Sequence, residues 1–286
     1  MARRLGERGA RAEHLDFADF PDRVALAWDP LRRRGVLEPP AGPAIALERL
    51  HAVYWRIATR TRAPAGLRPE LHEFAEDEAR RALECMLRGL PCPAINPPAA
   101  IAAHRFKPLQ SAQVAALGLA APATLISSSP AALRAFCAEH PDGVIVKPIS
   151  GGAYARRLRP GDLERDDSVR ACPMQYQALI PGEDLRIYVV GARVLAARIA
   201  VDDPSRVDFR TDPQHRSVAI DLDPAEAQRC RDLARALDLV FTGIDLRRTP
   251  DGELVFLEAN PSPMFLRFEQ DTGHPVLDAL VDALLA

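Results

Sequence analysis

A mixed α+β fold with stretches of α/β alternation is predicted by three features of this 286-residue sequence. Segments that read as strands alternate with segments of helical spacing along the whole chain, no internal repeat or low-complexity tract interrupts them, and everything after Met174 is strand-rich. With 48% apolar residues and a net charge of -2, the chain can bury one large multilayer domain or two to three small ones.

The elements follow in order. Val24 to Trp28 and Ala52 to Ile57 read as strands. A helix follows from Pro69 to about Leu90, in which Leu71, Phe74, Leu83, Leu87 and Leu90 keep helical spacing. Pro91, Pro93, Pro97 and Pro98 mark a linker over 91 to 98. Beyond it come a helix from about Pro108, a short strand at Ala123 to Ile126, and a helix opened by Ser129 as N-cap with Pro130 at its first position. The apolar run Val144-Ile145-Val146 then ends in Lys147. Met174 to Ile180, Leu185 to Val190 and Val194 to Val201 are strands, the last two joined by a Gly191-Ala192 turn. Asp223-Pro224-Ala225-Glu226 is a capping box that starts a helix to about Leu237. A hairpin and a helix from Pro275 to Leu285 finish the chain.

Charge and composition exclude several classes. There is no apolar run long enough to span a bilayer and no apolar N-terminal segment of a signal peptide, so neither a membrane nor secretion is indicated and a cytoplasmic protein is expected. Five scattered cysteines without C-x-x-C spacing form neither a disulfide framework nor a zinc site. A near-neutral charge gives no electrostatic reason to expect nucleic acid.

Of the 37 basic residues only Lys107 and Lys147 are lysines. Where arginine fills nearly every other basic position, a retained lysine marks places that need a compact point charge on a flexible stem. Lys147 ends a strand and opens into Pro148-Ile149-Ser150-Gly151-Gly152, a small-residue loop whose backbone N–H groups and neighbouring ammonium suit a polyphosphate.

The sharpest chemistry lies in the hairpin Thr242 to Pro263. A two-residue turn at Asp251-Gly252 pairs residues whose numbers sum to 503, which sets Asp245 opposite Glu258, and alternation puts Asn260 on the same face. Two carboxylates directly across a ladder repel unless a cation lies between them, and oxygen-only donors select magnesium or manganese over zinc. A site with few protein ligands expects phosphate oxygens to complete the shell, which connects the hairpin to the lysines.

These motifs resemble the ATP-grasp superfamily, in the branch of ribosomal-protein glutamate ligases and graspetide (microviridin-type) peptide ligases. The resemblance covers about residues 13 to 286, most securely 96 to 286. It rests on Asn96, Lys107-Pro-Leu-Gln110, Gly118 to Thr124, Val146-Lys147-Pro148 with Ser150-Gly151-Gly152, Gln177 to Arg186, Asp208-Phe209-Arg210, Gly243-Ile244-Asp245 and Leu257 to Pro263.

The resemblance implies an N-terminal domain over 1–95, then two α+β halves over 96–180 and 181–286 that clasp ATP. Lys107, Lys147, Ser150 and Gly151 would meet the phosphates. Gln177 to Ile180 would be the hinge strand, with the Ala178 carbonyl and Ile180 N–H reading adenine, and Asp184 with Glu183 would hold the ribose. Asp245, Glu258 and Asn260 would hold one or two Mg2+ ions, with Mn2+ as a substitute. Arg186 and Arg210 would stabilise the transferring phosphoryl and the oxyanion, with Arg198 a weaker third candidate. His215 and His274 could act as bases, but a lone histidine is more often structural or solvated, and neither is assigned a role.

Relatives open with a buried strand, whereas this sequence reads as beginning inside the first helix, with Arg11 to Leu15 as the second strand; either the true start lies upstream or the sheet is one strand short, and either would expose a sheet edge that favours a homodimer. The expected activity is ligation of a carboxylate to an amine or hydroxyl through an acylphosphate, on a ribosomal peptide with a leader segment. Addition of an amino acid to a protein tail or metabolite, an ATP-grasp kinase, and a nucleotide-binding scaffold are the alternatives.

Overall fold

The computed structural model describes residues 1–56, 61–104, 106–150, 153–203 and 205–286, with residue 19 described in its backbone only. Its chain forms two compact units, Met1–Ala102 with Leu277–Ala286, and Ala103–Val276. This grouping differs from the expected cut near 95: the N-terminal unit runs to Ala102 and takes back the C-terminal helix residues from Leu277 on.

The first unit begins with helix α1 (Ala2–Glu7), followed by the antiparallel strands β1 (Ala25–Asp29), β2 (Arg34–Glu38) and β3 (Ile45–Ala46). Strand β4 (Val53–Tyr54) pairs in parallel with β5 (Ala94–Ile95) across the long helix α2 (His72–Gly89). Ala79, Leu83, Met86 and Leu87 of α2, at helical spacing, pack with Val24, Leu37 and Leu47 into one core. Residues 11–15, expected as a strand, belong to none. The end of the expected strand at Ile57 lies outside the described residues. Helix α3 (Pro98–Ala103) leads to the second unit.

That unit holds helix α4 (Lys107–Ala116), β6 (Thr124–Ser127), α5 (Pro130–Glu139), β7 (Val144–Lys147), β8 (Arg156–Arg157), α6 (Asp166–Ala171) and β9 (Met174–Ala178). The four strands form one sheet in the order β6-β9-β7-β8. Ser129 caps α5 as expected, accepting from the Ala132 N–H at 3.3 Å. Leu133 and Phe136 of α5 meet Val144, Val146 and Tyr176 of the sheet.

A second, antiparallel sheet has the order β12-β11-β10-β13-β14, made from β10 (Glu183–Val190), β11 (Arg193–Ala200), β12 (Arg216–Ile220), β13 (Phe241–Arg248) and β14 (Leu254–Asn260). Helix α7 (Pro224–Ala236) carries the capping box, with Asp223 accepting from Ala225 N–H and Glu226 accepting from Asp223 N–H. It packs on β10, β11 and β13. The short helix α8 (Leu266–Thr272) lies against β12, and α9 (Val276–Leu285) ends the chain. Among the described residues no helix is long and apolar enough to cross a membrane. All five cysteines are free.

The hairpin corrects one expectation. Its loop is three residues, Pro250 to Gly252, closed by Thr249 N–H donating to the Glu253 carbonyl at 2.9 Å, with Gly252 at φ 91°. Near the turn, Arg248 therefore pairs with Leu254 and Leu246 with Phe256, a register that sums to 502. A one-residue bulge at Leu257 then shifts the ladder, and Asp245 pairs with Glu258, Ile244 with Ala259 and Gly243 with Asn260.

Candidate active site

The central strand of the five-stranded sheet sets the site. On β10, Asp184, Arg186 and Tyr188 alternate onto one face, opposite Arg247, Asp245 and Gly243 of β13. Glu258 and Asn260 of β14 extend the rows that begin at Arg186 and Tyr188. The sheet therefore presents on a single surface two adjacent rows, Asp184–Arg247 and Arg186–Asp245–Glu258, each of which sets opposite charges side by side.

Opposite charges pair along these rows. Arg186 Nη2 donates to Asp245 Oδ2 at 3.2 Å, while Nε and Oδ1 approach to 2.5 Å without hydrogen-bond alignment. Those two atoms are buried and have no hydrogen-bond partner among the described residues. Arg247 Nη1 lies 3.3 Å from Asp184 Oδ1, and its Nη2 donates to the Gly182 carbonyl at 2.7 Å. Lys107, at the start of α4, donates to Glu258 Oε2 at 2.9 Å.

Electrostatics separates the two facing carboxylates. Burial, only partly offset by Arg186 and reinforced by Glu258, pushes Asp245 up to about 6. Glu258 is half-buried, and against that burial Lys107, Lys147 and Arg186 together hold it below the usual carboxylate range. Asp245 therefore holds a proton more readily than Glu258. Burial raises Asp184 despite Arg247.

Lys147, at the end of β7, is partly buried, and among the described residues it has no ion-pair partner within 4 Å. Burial lowers its pKa, while the fields of Glu258 and Asp245 raise it. An ammonium placed close to carboxylates yet bonded to none of them has its donors available to an anionic ligand.

Gln110 ties these parts together, and its role was not apparent from sequence. One turn after Lys107 on α4, its side-chain oxygen accepts the Ala259 N–H at 2.9 Å and its amide donates to the Ala259 carbonyl at 3.0 Å. The side chain so imitates a neighbouring strand along β14. Its remaining N–H meets His104 Nδ1 at 2.6 Å, and His104 Nε2 donates to the Leu237 carbonyl at 3.3 Å. The sequence signals were its place in the Lys107-Pro-Leu-Gln110 motif and a polar residue on the buried face shared by Gln110 and Val114.

The remaining expected residues fall differently. Glu183 alternates onto the other face of β10 from Asp184, where it meets Arg198 at 3.6 Å and Arg248 at 4.0 Å, and Arg248 pairs with Glu226 of α7. Glu183 and Arg198 are therefore on the helix-covered side and not with Asp184. Gln177 is buried and donates to Thr124 Oγ1 at 3.0 Å, a strap between β9 and β6. Ala178 ends β9, its N–H given to the Ala123 carbonyl, and Ile180 lies in the segment beyond. Ser150 is exposed. Gly151 lies outside the described residues. Asn260 Oδ1 accepts the Ser262 N–H at 2.9 Å while staying on the site face. Arg210 is held by Asp208. His215 and His274 each spend a ring nitrogen on a backbone carbonyl, of Asp212 and Ala196.

The donor set fits a divalent cation. Asp245 Oδ1 is a buried carboxylate oxygen without a hydrogen-bond partner, Glu258 faces it, and the third oxygen is an amide, so hard-oxygen chemistry is met. Among the described residues no group of three or more His, Cys, Asp or Glu side chains could hold a metal.

Residues 171–284 match the RimK-like ATP-grasp domain. Over 162 residues the chain is 25% identical to a probable alpha-L-glutamate ligase 2 of Hahella chejuensis, covering 56% of this chain and 51% of that protein. The chain thus spans about half the length of this curated relative. Among solved structures, the ATP-grasp ligase PsnB, complexed with a phosphomimetic variant of its minimal precursor, Mg and ADP, is 28% identical with a TM-score of 0.84, covering 99% of this chain and 92% of that one. The macrocyclase MdnC of Microcystis aeruginosa, bound with precursor peptide MdnA, is 24% identical with a TM-score of 0.85, covering 99% and 94%, a likeness of fold. Both sheets, the helices packed on them and the acidic hairpin are thus accounted for together as an ATP-grasp fold, within which residues 171–284 match a RimK-like ATP-grasp domain.

Proposed function

We propose that this chain is an ADP-forming ligase that uses ATP to activate a carboxylate, and that its substrate is a ribosomally made peptide closed into a ring through Asp or Glu side chains. In the first step the γ-phosphoryl moves to a carboxylate oxygen and ADP departs. In the second, an amine or hydroxyl attacks the acyl carbon and loses its proton, and phosphate leaves with the oxygen. The peptide loses one water per bond formed.

The observation that carries this reading is the charged face itself, where Asp245 and Glu258 stand opposed and Lys107 and Arg186 neutralise them. Asp245, Glu258 and Asn260 would hold one or two Mg2+ ions, or Mn2+, whose contribution is to neutralise phosphate charge. Lys147 reaches the phosphates as a point charge, and Asp184 takes the ribose hydroxyls. Arg186 and Arg210 offer guanidinium donors to the transferring phosphoryl and the oxyanion. The peptide substrate is favoured because PsnB, similar over 99% of this chain, is complexed with a precursor.

A second reading, addition of glutamate or another amino acid to a protein tail, is favoured by the alpha-L-glutamate ligase relatives. The deciding experiment measures ADP release by the purified protein with Mg-ATP and a candidate precursor peptide, followed by mass spectrometry. Loss of water that tracks ADP supports ring closure, a gain of one amino-acid residue supports the second reading, and a stable phosphoester product sinks both.

A further inference from the structure

Asp208 stands immediately before a short 3-10 turn, Phe209–Thr211, and its side chain is only 5% exposed. Its Oδ1 accepts from the backbone N–H of Arg210 at 3.1 Å and from Arg210 Nε at 2.8 Å. Its Oδ2 accepts from Arg210 Nη2 at 2.6 Å and from the backbone N–H of Ala155 at 3.0 Å, 53 residues earlier in the chain. One carboxylate thus joins two distant segments of the same unit.

Both segments carry an aromatic ring beside one of the two candidate arginines. The Tyr154 ring lies 5.4 Å from the Arg210 guanidinium carbon, and the Phe209 ring lies 5.8 Å from that of Arg186. Arg210 itself is 54% exposed. The carboxylate is therefore behind and the guanidinium in front, with Nη1 left over from the two-point grip on Nε and Nη2. A two-point grip fixes both the position and the plane of a guanidinium, which a single contact does not.

We propose that Asp208 is a positioning residue, which holds the Arg210 guanidinium and the Tyr154–Ala155 segment together in the orientation that meets the anionic reacting group of the substrate. The identity of that group rests on the ligase reading above. The anchoring does not, because it is a property of the chain alone.

The test combines hydrogen exchange with a mutant cycle on the full chain. In the wild-type protein the Ala155 amide should be protected, D208N should speed its exchange, and R210Q should leave it slow. In turnover with a precursor peptide, D208N should lower kcat about a hundredfold, the usual cost of a displacement of about 1 Å at a reacting centre. The D208N/R210Q double variant should match R210Q alone within about twofold, the scatter expected of independent measurements. Mg-ADP affinity, read by calorimetry, should be unchanged in D208N.

An unprotected Ala155 amide in the wild-type protein overturns the anchoring and needs no variant. Losses that multiply in the double variant, or loss of Mg-ADP binding in D208N, overturn the positioning role in favour of a general structural one. If no peptide is turned over by the wild-type protein, the ligase reading fails and the exchange arm still decides the anchor.

Discussion

Asp245 and Glu258 face each other across β13 and β14 because one extra residue, Leu257, is inserted into β14. The three-residue loop alone would carry the ladder forward at a sum of 502 and set Leu257 opposite Asp245, turning Glu258 to the other side of the sheet. The bulge moves the register by one and returns the carboxylate to the site face. A three-residue turn and a one-residue bulge thus cancel at the position where the chemistry needs them to.

Opposed carboxylates set the first prediction. Asp245→Asn removes one negative donor and leaves the half-buried Arg186 without its ion-pair partner, so breaking the pair should cost at most the lower end of about 3 to 5 kcal/mol. The half-saturating Mg2+ concentration for nucleotide binding should rise by about tenfold or more, since ligand charge sets affinity for hard cations. A magnesium titration indistinguishable from wild type would remove Asp245 from the ligand set.

Lys147 gives the second. Arginine keeps the charge but replaces a compact ammonium with a broad planar fork, so Lys147→Arg should lose about tenfold or more in turnover. Arg229→Lys on the exposed side of α7 should change little. Near-equal rates for the two variants, measured by ADP release, would defeat the argument from lysine scarcity.

Gln110→Leu tests the strap between α4 and β14. It leaves the Ala259 N–H and carbonyl and His104 Nδ1 without partners in a buried place, each worth about 1 to 3 kcal/mol. Urea unfolding should show a loss of a few kcal/mol, and Mg-ADP affinity should fall as well, because the strap aligns Lys107 with Glu258. A variant that loses stability and keeps nucleotide affinity would reduce Gln110 to packing.

His104 predicts a pH dependence of stability. Burial lowers its pKa below the ordinary 6.5, against the small opposing pull of the Leu237 carbonyl. Above that value both folded and unfolded states are neutral at this residue and no penalty arises. As pH falls below it, the unfolded chain takes a proton that the folded chain refuses, so stability falls by up to about 1.4 kcal/mol per pH unit until the folded pKa is reached. Urea midpoints from pH 8 to pH 5 should follow this decline, and His104→Asn should flatten it.

Most of the hairpin was legible because its signals are local. Asp251-Gly252 marks a turn, and the alternation of Asp245 and Glu258 with apolar neighbours marks two strands with one wet face. The caps at Ser129 and Asp223 were legible for the same reason: a cap and its donor are two or three residues apart. Glu183 misled because it adjoins Asp184 in sequence, and in a strand adjacency places two side chains on opposite faces.

What the sequence by itself determined is the chemistry on offer: two lysines, a carboxylate hairpin, capped helices and a mixed fold, all encoded in stretches of a few residues where neighbours along the chain decide the outcome. What only the tertiary structure decided is who meets whom. Gln110 reaches Ala259 across 149 positions, Ala155 finds Asp208 across 53, and Arg247 meets Asp184 because β10 lies beside β13. Such pairings depend on strand order and register, which no local pattern fixes, because their closure entropy is offset only when the whole sheet assembles.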